Sequence, residues 1–169
     1  AANGFEGLAD TVDSKLVVDN GGTGGALSSI WFVNNGADHC AIVAGNDGNI
    51  SMDPAVMQRL SGSNGTYGAF FTNVSSWYGF QQGSSWSAGR LANIDTTGSL
   101  NDDAIAGMLA KFPASAKPSF MVMNRDVLEL LRKSRTATNA TGAPAENPNS
   151  IFGVPVIVTD QLASNETAV

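Results

Sequence analysis

Phe120-Met121-Val122-Met123-Asn124-Arg125 closes one hydrophobic period and opens another. Residues 119–123 form a short, nearly unbroken apolar run, the pattern of a buried strand. From Asn124 the spacing becomes helical, with Val127, Leu128, Leu130 and Leu131 as its apolar positions. Asn124 suits an N-cap, because its side-chain oxygen can accept an amide of the first turn. Asp126 matches the positive end of such a helix, while Arg132, Lys133 and Arg135 match its negative end. Glu129 and Lys133 have the spacing of a helical ion pair.

Upstream, Ile105, Met108, Leu109 and Phe112 stand at i, i+3, i+4 and i+7 and define a second helix face. Ser99 or Asn101 can cap it, Asp102 and Asp103 suit its start, and Pro113 stops it. Residues 27–34 are rich in strand formers, and Asn35-Gly36 predicts a tight turn into a return strand over 38–44. Asp53-Pro54 predicts the start of a short helix reaching Leu60. Residues 67–82 are aromatic-rich, and Gly83-Ser84 predicts the turn of a long hairpin that returns over 85–95. Gly68, Gly79 and Gly89 would be its bulges or bends, and Arg90 interrupts its apolar face. Residues 15–19 predict a short strand. The run Gly21-Gly22-Thr23-Gly24-Gly25 predicts a flexible loop or a close backbone approach.

Downstream, residues 136–150 form a polar loop of a length that is usually functional or ordered by a partner. Residues 151–159 return to strand, with Pro155 restricting that strand to an edge or a bulge. The order of elements predicts an α+β fold: a mixed sheet flanked by helices, plus a long hairpin, within one domain spanning 1–169.

Composition narrows the function. The chain has 169 residues, 43% hydrophobic and only 14% charged, which excludes disorder. No run approaches the roughly 20 apolar residues of a membrane helix. One cysteine cannot form an internal disulfide. Net charge is −6, against a dedicated nucleic-acid binder, although residues 104–135 hold six bases against Asp126 and Glu129. Asn-x-Ser/Thr triplets begin at Asn49, Asn64, Asn73, Asn139 and Asn165, and chance accounts for them in so Asn- and Ser-rich a chain.

Candidate chemistry is sparse. His39 and Cys40 are neighbours, but successive strand residues point to opposite faces and cannot form a dyad. Cys40 reads as a small hydrophobe. Asp102 and Asp103 are explained by the helix start. Zinc would want Cys/His clusters, and the chain has one of each. No cofactor is implied. The aromatic residues, among them Trp31, Phe70, Phe71, Trp77, Tyr78, Phe80 and Trp86, read as core or subunit-interface positions, with a stacking platform as the alternative.

Several stretches in order resemble the major capsid proteins of tailed bacteriophages and prophages. They are Gly4-Phe5-Glu6-Gly7-Leu8-Ala9, then Ser28-Ser29-Ile30-Trp31-Phe32-Val33 with Gly45-Asn46-Asp47-Gly48, then Arg90-Leu91-Ala92-Asn93-Ile94-Asp95. The strand-to-helix step at Met123-Asn124-Arg125 follows, and then Ile151-Phe152-Gly153-Val154-Pro155-Val156 with its valine-rich continuation and Asn165-Glu166-Thr167. The resemblance implies an axial domain and part of a peripheral domain of an icosahedral shell subunit. Such subunits assemble with themselves into hexamers and pentamers around double-stranded DNA, aided by scaffolding and portal proteins. The resemblance also implies location in the virion after assembly in the bacterial cytoplasm. The N-terminal arm, extended loop and most of the spine helix of that family have no counterpart here. The chain is therefore expected to be a carboxyl-terminal portion, mostly monomeric by itself.

Within that frame, Arg132, Lys133, Arg135, Asn139 and Asn147 are the expected inter-subunit contacts. Two alternatives stay open at this point: a carbohydrate-binding β module, and an encapsulin-like nanocompartment shell.

Overall fold

A computed structural model describes residues 7–98 and 100–169. In chain order these form α1 (Leu8–Thr11), β1 (Val17–Asp19), β2 (Leu27–Val33), β3 (Cys40–Ala44), β4 (Ser51–Met52), β5 (Val56–Gly62) and β6 (Gly65–Phe71). Then follow β7 (Val74–Ser75), β8 (Tyr78–Gln82), β9 (Ala88–Asp95), α2 (Asp102–Leu109), β10 (Phe120–Met123), α3 (Arg125–Ala137), β11 (Ser150–Ile151) and β12 (Val154–Val158). They divide into two compact units, residues 42–80 and the remainder. Residues 4–6 and Ser99, to which the sequence assigned a family motif and a helix cap, lie outside the described residues.

The larger unit is built on a six-stranded mixed sheet in the order β1-β9-β2-β10-β12-β11. Its β1/β9 and β10/β12 pairs are parallel, and the other three are antiparallel. The α+β expectation therefore holds. Central β2 is buried at every position. One of its faces carries Ile30 and Phe32, which join Leu91, Met121 and Met123 in the core with Ile105, Met108 and Phe112 and with Val127 and Leu131. Gly89 belongs to this packing and is not a bend. A Cβ there would lie 2.4 Å from Met108 Cε and 2.7 Å from the Phe112 ring, so its bareness lets the second helical segment approach β9.

Both predicted helices are present with predicted N-caps, although α2 ends at Leu109, before Phe112 and Pro113. Asn101 accepts from the Ala104 amide at 3.0 Å, and Asn124 accepts from the Val127 amide at 2.8 Å. The Asn124 amide group also donates to the Ser28 hydroxyl at 2.9 Å, tying the strand-to-helix step to the central strand. The glycine run makes the close approach anticipated as one option. Gly22 donates to the Asn93 carbonyl at 2.9 Å, and a Cβ on it would sit 2.4 Å from that oxygen. Asn93, at φ 55, accompanies the register shift between β2 and β9.

Four expectations are corrected. Strand β3 does not return against β2, because β2 is bonded on both edges by β9 and β10; β3 pairs with β8 instead. The helix proposed from Asp53-Pro54 to Leu60 is strand β5. Residues 67–82 do not pair with 85–95. Their partners are β5, β4 and β3, while β9 joins the large sheet. Residues 151–159 are split by a two-residue turn at Phe152-Gly153, so that β11 and β12 form a small hairpin. None of the described helices is long and apolar enough to cross a membrane.

Candidate functional site

Residues 42–80 form a β-ribbon folded back at Ser63-Asn64. Its antiparallel pairs run from Gly62 with Gly65, through Val56 with Phe71, to Met52 with Val74. The Gly45 amide, donating to the Trp77 carbonyl at 2.8 Å, continues the pairing. Gly65 at φ 120 supplies backbone freedom at the fold-back. Because directly opposed residues share a face, the register sorts the side chains. One face carries Val56 with Phe71, Gln58 with Ala69 and Leu60 with Tyr67. The other carries Met57 with Phe70, Arg59 with Gly68 and Ser61 with Thr66, and turns polar toward the tip.

Every residue of β5 is exposed, and so are Tyr67, Phe70 and Phe71 on β6. Phe70 is 76% and Trp77 70% accessible. A two-stranded ribbon is marginal in water without a covered face. Burying a large apolar side chain contributes about 1.5–3 kcal/mol, so leaving this many exposed argues for a partner.

The five residues expected at subunit contacts are not equally available. Arg135 makes three contacts of 2.8–3.2 Å with the Asp102 carboxylate, joining the last turn of α3 to the first turn of α2. Arg132 grips Glu129 at 2.6 and 2.7 Å, and this guanidinium holds the Glu129 carboxyl below its usual range. The expected Lys133–Glu129 pair is only 3.9 Å and secondary; Lys133 stays 65% exposed. Asn139 shapes its own loop, accepting from the Thr141 amide and hydroxyl and donating to the Ala143 carbonyl. Thr136 accepts from the Ala145 amide at 2.9 Å and so folds that loop back on the helix end. Asn147 is exposed.

The chemistry of the remaining candidates is unpromising for catalysis. Cys40 is buried and donates weakly to the Ser87 carbonyl at 3.4 Å, and burial pushes its thiol pKa up. A nucleophilic cysteine needs the opposite shift. His39 lies outside the strand with Nδ1 3.3 Å from the Ser87 hydroxyl. Among the described residues, no group of three or more His, Cys, Asp and Glu is placed to hold a metal ion.

Sequence reasoning missed the ribbon as a unit. Its signal was Asn64-Gly65, a tight-turn pair flanked by strand formers. Comparison with protein families finds one whose model, described as major capsid protein GP7, matches residues 4–169. Among curated proteins none matches the chain.

Proposed function

The chain belongs to the major capsid protein GP7 family, and from that premise we propose that it builds an icosahedral phage shell of hexamers and pentamers around double-stranded DNA. As a member of that family it is a structural subunit of a capsid, and its place is the virion. In the proposed assembly, scaffolding and portal proteins guide closure in the host cytoplasm. The tailed-phage capsid fold, with an axial domain and part of a peripheral domain, is the architecture we assign to it.

The observation that carries this reading is the uncovered apolar ribbon, in a chain whose family works by self-association. Val56, Leu60, Tyr67 and Phe71 supply a face suited to the apolar centre of an interface. The end of α3 and the following loop, with Lys133, Asn139 and Asn147, are proposed as a second contact. There Arg132 and Arg135 would act from behind their carboxylate partners. The net charge of −6 suits a shell that must enclose DNA without gripping it, since tight phosphate binding needs Lys and Arg. Negative-stain microscopy of the full-length protein with its scaffold tests the proposal. Closed shells are expected, and folded monomers under all assembly conditions would contradict it.

A further inference from the structure

The β11–β12 hairpin turns through Phe152 at φ 51 and Gly153 at φ 75, both in the left-handed region. Glycine takes that conformation freely and asparagine tolerates it, but a bulky side chain is a genuine outlier there. The ring gains little within the chain, because Phe152 remains 54% exposed. It instead forms one wall of an apolar groove of about 480 Å³ that includes Leu109, Ala110, Phe112 and Pro113 at the end of α2. Lys117 lies on the rim, its Nζ donating to the Phe152 carbonyl at 3.4 Å.

We propose that Phe152 and this groove form a contact with a second copy of the chain. The inference rests on the capsid reading above and adds a contact surface apart from the ribbon. Strained backbone that presents an exposed aromatic ring beside an apolar groove is the arrangement of an interface anchor. Charge points to a second copy as the occupant. Apart from Phe152, the groove is lined from the basic stretch 104–135, where Lys111 and Lys117 have no carboxylate partner among the described residues. Outside that stretch the chain carries three bases against thirteen acids. A neighbouring copy, acidic outside that stretch, therefore complements a groove that carries Lys117 on its rim.

The test compares full-length wild-type protein with Phe152→Asn and Ala110→Glu. Asparagine fits the turn better than phenylalanine, so the thermal midpoint of Phe152→Asn should equal or exceed wild type. The concentration at which it forms shells should nevertheless rise at least about tenfold, as expected for loss of a buried aromatic anchor. Ala110→Glu places a carboxylate in the groove against an acidic neighbour and should raise that concentration comparably. Normal shell formation by Phe152→Asn at wild-type concentration overturns the contact. Normal shells with lost binding of the scaffolding protein also overturn it, by assigning the groove to another occupant. Wild-type protein that makes no shells overturns the capsid reading, and this contact with it.

Discussion

Arg90 Nη2 meets the Glu166 carboxylate at 2.8 Å, joining residues 76 positions apart. Glu166 accepts a hydrogen bond from Ser29, whose hydroxyl in turn accepts from Arg90 Nε at 2.9 Å. The guanidinium also stands 5.3 Å over the Trp31 ring, its cross-strand neighbour on the face of β2 opposite Ile30 and Phe32. Glu166 donates its own amide to the Leu27 carbonyl at 2.9 Å, so the C-terminal segment is fastened along β2. The arginine that interrupts the apolar pattern of β9 is thus the anchor for the C-terminal segment.

Both members of this pair are only 15–17% exposed, so removing either one leaves an uncompensated, mostly buried charge. Glu166→Ala or Arg90→Ala should each lower stability by about 2 kcal/mol, because each strands a mostly buried charge. Chemical denaturation of the two single variants and the double variant measures this. A coupling energy near zero would show the pair to be incidental.

Asn124 caps α3 and also holds the Ser28 and Ser164 hydroxyls, at 2.9 and 3.3 Å. Asn124→Ala should destabilise by about 2 kcal/mol, from a lost cap and an orphaned buried partner. Asn124→Ser should recover part of this by restoring the cap alone. Equal denaturation midpoints for wild type and alanine variant would refute the dual role.

Gly22 leaves no room for a methyl group against the Asn93 carbonyl, and backbone cannot step aside as a flexible side chain can. Gly22→Ala should cost about 2 kcal/mol or more through displaced backbone and the lost 2.9 Å hydrogen bond. Gly25, with open space around it, serves as the control and should tolerate alanine. Equal melting temperatures for the two alanine variants would contradict the packing account.

Acid should weaken the fold through identifiable carboxylates. The Gly21 amide first, and then Asn93, hold Asp19 below its ordinary 3.8, and the Thr97 hydroxyl and amide do the same for Asp95. A carboxyl depressed in the folded state contributes stability that is complete above its unfolded value and is lost as pH falls through the folded one. Stability should therefore decline below about pH 4. Asp19→Asn should flatten part of that acid limb in denaturation curves; an unchanged limb would rule Asp19 out as a contributor.

Local rules made the sheet-and-helix unit legible. Asn124 and Asn101 cap where short-range chemistry says they should, and Val127, Leu128, Leu130 and Leu131 are all buried. Strand partners were less legible, because pairing is decided by which edges remain free. Asn35-Gly36 looked like a hairpin turn, yet β2 had no free edge to offer. Val56 and Leu60, four apart, share a face in a helix and in a strand alike, and Asp53-Pro54 is a helix-start signal, so local pattern alone does not separate the two. The candidate contacts suffered similarly. A sequence shows three bases at a helix end, but Arg135 faces Asp102 through a tertiary contact 33 positions away, and helical spacing offers Glu129 to Arg132 and Lys133 alike.

In the proposed shell, the apolar face of the ribbon is covered by another copy. Amide hydrogen exchange across Val56–Gly62 and Gly65–Phe71, measured in unassembled full-length protein and in purified shells, tests it most directly. Fast exchange is expected before assembly at amides not bonded within the ribbon, and strong protection of this segment afterwards. Identical exchange in both states would contradict it.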